Sequence, residues 1–378
     1  MMEIPAIDSI FLKKTLVDLL NIPSPSGYSD QIVHYVGEVL QHLAIDFEVT
    51  RRGAIRAVLE GTQTTVNRAL AVHLDTLGAM TRELKENGRL GVAPVGTWSS
   101  RFAEGARVTI FNRNGPQRGT VLPLKASGHV FNDEINTQPI HWDQIEVRVD
   151  EPCHDARALQ DAGYEIGDFI AFDATPEITS RDYINARHLD DKAGVALLLT
   201  AAKMIQDHHI ALPFNCCLLF TISEEVGSGA SSIVYGDVAE MVVIDHAPVA
   251  PGQASSEYAA TICMMDQSGP FDYHLSRKLV RLCEENDIPF RKDVFRYYRS
   301  DSASAIEAGN DTRTALIGFG VDASHGHERT HMDTLTAVTR LITLYMQSGP
   351  TFLRDKDDLA GLEGFPHQPS RDVIRITT

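Results

Sequence analysis

Between residues 77 and 177 the chain loses the pattern that governs it on either side. Before residue 76, two runs with helical apolar spacing, FLKKTLVDLL and QIVHYVGEVLQHL, flank a Pro/Ser/Gly-rich loop, NIPSPSGYSD, and are followed by the short strands DFEVT, AIRAVLE and RALAVHLD. From residue 185 strands and helices alternate again: VALLLTAAKMI reads as a helix, FNCCLLFTIS, MVVID and ATICMMD as strands, YHLSRKLVRLCEEN as an amphipathic helix, TALIGFG as a strand and TLTAVTRLITLYMQ as a closing helix. The stretch between shows no amphipathic helix of any length. It holds RVTIF, GTVLPL, IEVRV and DFIAFD, short runs broken by Gly, Pro and Asn.

The two outer parts therefore predict one α/β fold, a sheet with helices on both faces. It is assembled from residues 1–76 and 178–350, with a small all-β domain of about 100 residues, 77–177, inserted in it. The polar residues 351–378 read as a C-terminal tail.

Composition narrows the partners. The formal net charge is −17, which argues against nucleic acid and anionic membranes, because binding phosphate needs clustered Lys and Arg. The 5 cysteines include no CxxC pair and read as reduced thiols of a cytoplasmic protein. The N-terminal MMEIPAIDSIFLKK lacks the plan of a signal peptide, and no apolar run is long enough to span a bilayer.

Acidic residues and histidines gather at the predicted C-terminal strand ends, where open α/β sheets carry their sites. AVHLD brings His73 and Asp75; NARHLDD brings Asp190 and Asp191; LLFTISEE brings Glu224 and Glu225; MVVIDH brings Asp245 and His246; GFGVDASHGHE brings His325, His327 and Glu328. Singly, each has an ordinary explanation: Asp191 would serve as a helix N-cap, and a Glu-Glu pair is usually solvated. Five strand ends acting together call for chemistry. Two divalent cations roughly 3.5–4 Å apart need one bridging carboxylate. Imidazole and carboxylate suit zinc, cobalt or manganese as terminal ligands. A further carboxylate is needed to take a proton from the water between the metals. No Gly-rich phosphate loop and no GxSxG elbow offers another chemistry.

The order HLD, LDDKAG, SEEVG, VID, SH resembles the M42 family of metallo-aminopeptidases, relatives of glutamyl aminopeptidases and of the TET peptidases. DQSGPFDYHL at 266–275 and RSDSASA at 299–305 extend the likeness along nearly the whole chain. The resemblance implies a zinc-peptidase-like fold with a PDZ-like dimerisation domain as the insertion. It implies His73, Asp190 and Asp245 as ligands of one metal and Asp190, Glu225 and His325 as ligands of the other, with His327 a rival to His325. Asp190 is then the bridge, its peptide bond to Asp191 is cis, Glu224 is general base and acid, and Asp75 orients the His73 imidazole.

The expected reaction is hydrolysis of N-terminal residues from short peptides, using two zinc or cobalt ions, or manganese, with Asp301 facing the substrate amine. Alternatives are a metal-dependent amidohydrolase of a small blocked dipeptide, as in a subgroup of M42-like proteins associated with a glutamine-dipeptide osmoprotectant, or an inactive homologue serving as a scaffold. The expected partner besides substrate is the chain itself, in a dimer-based homo-oligomer that in the family reaches a dodecamer.

Overall fold

The apolar run that ends in His73 lies at the centre of the sheet. In a computed structural model that describes residues 4–236, 238–357 and 359–368, without the side chains of 64–66, the strand Gly61–His73 has parallel neighbours on both sides, Leu212–Thr221 and Val238–Val249. Arg313–Asp322 continues the parallel order beyond Val238–Val249. Strands buried on both faces need continuous apolar side chains rather than alternation, which accounts for CCLLF and MVVI. Four parallel strands bring four C-terminal ends to one edge.

The margins turn antiparallel. Ile55–Leu59 and then Phe47–Val49 close one side; Ala260–Asp266, Glu328–His331 and Tyr183–Ala186 lie beyond Arg313–Asp322 on the other. The strands Tyr183–Ala186, Phe290–Val294 and Glu328–His331 escape a reading of sequence because YINA, FRKDV and ERTH are short, polar and without period. The helix Leu189–Asp207 packs against Ser9–Leu20, Met332–Gln347 and the central strands, and is buried along nearly all its length. Among the described residues no helix is long and apolar enough to cross a membrane. All five cysteines are free thiols, four of them buried.

The inserted stretch closes on itself. Its strands run in the order Gly78–Leu84, Arg89–Val95, Ile145–Val149, Gly115–Pro123, Arg107–Asn112, Phe169–Phe172, and the last pairs back to the first. A barrel leaves no strand edge to aggregate. Its interior is a second hydrophobic cluster, built on Leu90, Val108, Ile110, Val121, Val147 and Ile170. Two short helices, Gly128–Phe131 and Ala156–Asp161, depart from the expectation of an all-β stretch; the Asp155 carboxylate caps the second by accepting from Ala158 N at 2.7 Å.

The start of the supposed tail is tied down. Arg313 joins Asp272 and Asp355 at 2.8 and 2.6 Å. A second clamp is charged and fully buried: Glu240 Oε1 lies 3.2 Å from Arg68 and 3.3 Å from Lys278, and both cations also donate to the Gly349 carbonyl. Glu240 Oε2 accepts from Thr351 N at 3.0 Å. Burial opposes the Glu240 charge, yet Lys278 and Arg68 hold its carboxyl below the usual range; burial brings Lys278 down to about 8. Residues 369–378 of the predicted tail lie outside the described residues. Glu240→Leu strands two buried cations, so it is expected to destabilise the fold by about 3–5 kcal/mol, read as a lower denaturant midpoint.

Candidate active site

The edge formed by the parallel C-termini collects the side chains singled out above. His73 ends its strand and Asp75 follows two residues on; Glu224 and Glu225 sit in the turn after Leu212–Thr221. Asp245 and His246 are not at a strand end. Val238–Val249 runs past its neighbour Gly61–His73, whose pairing with it stops at Val243–Ala71, so both residues flank an open edge. His325 occupies the turn between Arg313–Asp322 and Glu328–His331 with a left-handed backbone, φ 63°.

Asp190 stands in the middle. Its Oδ1 is 3.0 Å from His73 Nε2; its Oδ2 is 3.0 Å from His246 Nδ1 and 3.3 Å from His325 Nε2. Donor atoms of His73, Asp190 and Asp245 lie within 4.8 Å of one another, and so do those of Asp190, Glu225 and His325. Asp190 belongs to both groups through its two oxygens. His327 turns away and meets Thr175 Oγ1 at 3.2 Å. Glu224 belongs to neither group; its Oε2 stands 3.9 Å from His73 Nε2, and the residue lines the adjoining cavity.

The cluster is held from behind by bonds that a motif does not reveal. His73 Nδ1 meets the Asp75 main-chain carbonyl at 2.8 Å, with the Asp75 carboxylate 3.7 Å away. That carboxylate accepts from Glu224 N at 3.1 Å, Glu225 N at 3.4 Å and the Ser26 hydroxyl, and so fixes the Glu-Glu turn. Asp191 is fully buried and accepts from His73 N at 3.1 Å. Its neighbour must be glycine: a Cβ at Gly194 would lie 2.2 Å from Asp191 Oδ1. The Asp190–Asp191 peptide bond is cis, and φ/ψ at both residues is non-helical, so the helix proper begins after them.

Glu328 is the residue whose role the sequence left open. Buried, it accepts from Asp190 N at 3.2 Å and from His325 N at 2.9 Å, tying together the backbones of two candidate ligands; burial and the Asp190 charge raise its carboxyl to about 7. The inserted barrel also reaches the site. His325 Nδ1 meets the Thr97 carbonyl at 3.2 Å, and a Cβ on Gly326 would come within 3.3 Å of the Phe102 ring. A main-chain carbonyl leaves no trace in sequence, so nothing could have announced Thr97. Asp301 lines the cavity, and its oxygens accept from Thr221 Oγ1 at 2.7 Å and Ala230 N at 2.8 Å, while a Cβ at Gly229 would collide with it.

Electrostatics favour bound cations. Burial opposes the Asp190 charge, but His246, His325 and His73 hold its carboxyl well below the usual range. Burial, then the charge of Asp190, pushes Glu225 up; burial pushes Glu224 up, with His73 opposing and Asp245 adding. Crowded carboxylates interleaved with imidazole nitrogens are donors suited to zinc-type divalent cations, and three protein donors per group match the pattern of catalytic metals that keep a position open. The residues fit such a pair. A cavity of about 930 Å³ opens over them, walled by Thr97, Trp98 and Phe102 of the barrel on one side and by Phe295–Arg299 on the other.

A large parallel-centred sheet, an inserted barrel and a shared carboxylate between two donor triads define a hydrolase-type metal centre. The family model described as M42 glutamyl aminopeptidase matches residues 53–341, and the chain belongs to that family. YhfE of Bacillus subtilis (strain 168) is 38% identical over 332 residues, covering 88% of this chain and 96% of its own. The lysyl aminopeptidase of Pyrococcus furiosus is 23% identical over 212 residues, 55% of this chain and 58% of its own. In fold, the chain is similar to a TET aminopeptidase from the marine sediment archaeon Thaumarchaeota archaeon SCGC AB-539-E09, with TM-score 0.82 at 16% identity, covering 91% and 98% of the two chains. It is similar also to the TET1 peptidase of Pyrococcus horikoshii, with TM-score 0.78 at 22% identity, covering 89% and 99%.

Glu328→Ala releases both the Asp190 and the His325 amides. Groups that orient ligands typically contribute 10–100-fold to metal affinity, and a loss of that size is expected in a cobalt titration of the variant.

Proposed function

We propose that the chain is a two-cation aminopeptidase that removes N-terminal residues from short peptides. The observation that carries the reading is the shared position of Asp190, one oxygen toward His73 and the other toward His325, with Asp245 and Glu225 completing two donor groups. Membership of the M42 family supports it, as do relatives named lysyl and glutamyl aminopeptidase. Zinc or cobalt, or manganese, suits the donors. His73, Asp190 and Asp245 would hold one ion; Asp190, Glu225 and His325 would hold the other.

Cations held there would supply Lewis acidity toward a carbonyl oxygen and would lower the pKa of a water. The chain's own residues do the rest. Glu224, outside both donor groups and raised in pKa by burial, takes the water's proton on its carboxylate and returns it to the leaving amine. Asp75 holds the Glu224 and Glu225 amides, so base and ligand keep their spacing. Thr97 occupies His325 Nδ1, which leaves Nε2 facing Asp190. Trp98, Phe102, Tyr297 and Tyr298 line the cavity in which the substrate's chain end would lie.

The inserted barrel, about residues 77–177, is read as a self-association domain of a cytoplasmic, dimer-based oligomer reaching a dodecamer. Trp98 and Trp142 pack edge to face on each other, and Trp98 on Phe172, so these aromatics serve the barrel itself. Val130, Ile140 and Ile166 are exposed on it, as is Phe102 at the cavity, and the first three support association. The Pyrococcus horikoshii TET1 peptidase, similar in fold, assembles into a tetrahedron or a large octahedral shell.

Amino-acid anilides assayed with and without cobalt or zinc test the activity; absence of turnover across the series with metal-loaded protein would defeat the reading. Glu224→Gln is expected to keep the cations by elemental analysis and to lose about 10²–10⁴-fold in kcat, because an amide cannot accept the proton. Light scattering of metal-loaded protein at micromolar concentration is expected to give a multiple of the dimer mass. A monomer would reject the role of the barrel.

A further inference from the structure

His246 is the third imidazole at the centre, and neither donor group uses it. Successive residues of a strand point to opposite faces. Asp245 and His246 nevertheless meet, with His246 Nδ1 3.2 Å from Asp245 Oδ1, because the strand has outrun its neighbour there and both turn into the open edge. The same nitrogen is 3.0 Å from Asp190 Oδ2. The ring is buried, 5% exposed, and confined between Tyr298 at 5.1 Å and His325 at 6.0 Å between centroids. Ionised carboxylates only accept hydrogen bonds, so Nδ1 carries the hydrogen and is shared between one oxygen of Asp190 and one of Asp245.

We infer that His246 is a positioning residue that keeps Asp190 in its bridging pose, and that the chain retains its second cation through it. A carboxylate presents its two oxygens to two different cations only when its plane is held. Free to rotate, it chelates one. Among the described residues, His246 is the group at the Asp190 side-chain oxygens that lies outside the donor groups: Glu328 holds the main-chain amide, while His73 and His325 are themselves candidate ligands whose nitrogens cations would take. The Nδ1–H of His246 approaches Oδ2 from the strand that also carries Asp245, so one donor sets the relative placement of a ligand from each group. Ligating carboxylates are commonly oriented by such bonds, which contribute 10–100-fold to metal affinity.

This inference rests on the two-cation reading, and the experiment separates the two. Metal-free wild type, His246→Ala and His246→Asn are titrated with cobalt(II) and followed by equilibrium dialysis and by the visible absorption of bound cobalt. The asparagine amide nitrogen, like Nδ1, is bonded to Cγ and donates from nearly the same place, but it lacks the far side of the ring. Wild type and His246→Asn are expected to take up two equivalents. His246→Ala is expected to bind one normally and the second 10–100-fold more weakly. Should the alanine cavity prevent folding, His246→Leu fills it without a donor and carries the same expectation. Two equivalents at wild-type affinity in the alanine or leucine variant would overturn the inference. So would an asparagine variant that behaves like alanine, because the donor would then not be what matters. A wild-type chain that binds only one cation would defeat the two-cation reading itself and remove the ground for this one.

Discussion

The Asp190 carboxylate organises everything around it. It is buried, it has imidazoles on three sides, and its main-chain amide is held by a second carboxylate, Glu328. An ion in such a place is costly to bury unless it is paired and hydrogen-bonded. The surrounding fold supplies that pairing from three separate segments. The strand Gly61–His73 brings His73, Val238–Val249 brings His246 and the hairpin turn delivers His325, while the turn before the long helix carries Asp190 itself. The neighbouring Asp191 is absorbed in another way, by accepting the His73 amide over a glycine that leaves it room.

The inserted barrel interrupts the central sheet immediately after His73 and Asp75. It has its own apolar interior and closed hydrogen bonding. What it gives to the site is small and local: one carbonyl for His325, one ring over Gly326, and a wall of the cavity. A domain that both orients a candidate ligand and shapes the substrate opening links the placement of the whole insertion to the chemistry beside it.

Much of this was legible in the chain. Helix and strand existence followed from period, and the runs ending in His73, Asp245 and Gly320 were recognisable because parallel strands buried on both faces must be apolar throughout. The interruption between 77 and 177 was legible as a change of pattern, though barrel closure was not, since closure depends on pairing between strands far apart in sequence. The short strands Glu328–His331 and Tyr183–Ala186 were illegible because their place is decided by partners, not by their own residues.

The sequence by itself determined the inventory: which acids and imidazoles exist, in what order, and that they fall near strand ends where a sheet collects them. That follows from side-chain chemistry and local periodicity, which are properties of short segments. Only the tertiary structure decided how they are used. It turned His325 inward and His327 toward Thr175, spent the Asp301 carboxylate on Thr221 and Ala230, and set Glu328 behind two backbones. It brought His246 onto the carboxylate of Asp190 by letting one strand outrun another. Each of these depends on distances between residues tens to hundreds of positions apart, and such distances exist only once the sheet, the barrel and the turns between them have packed.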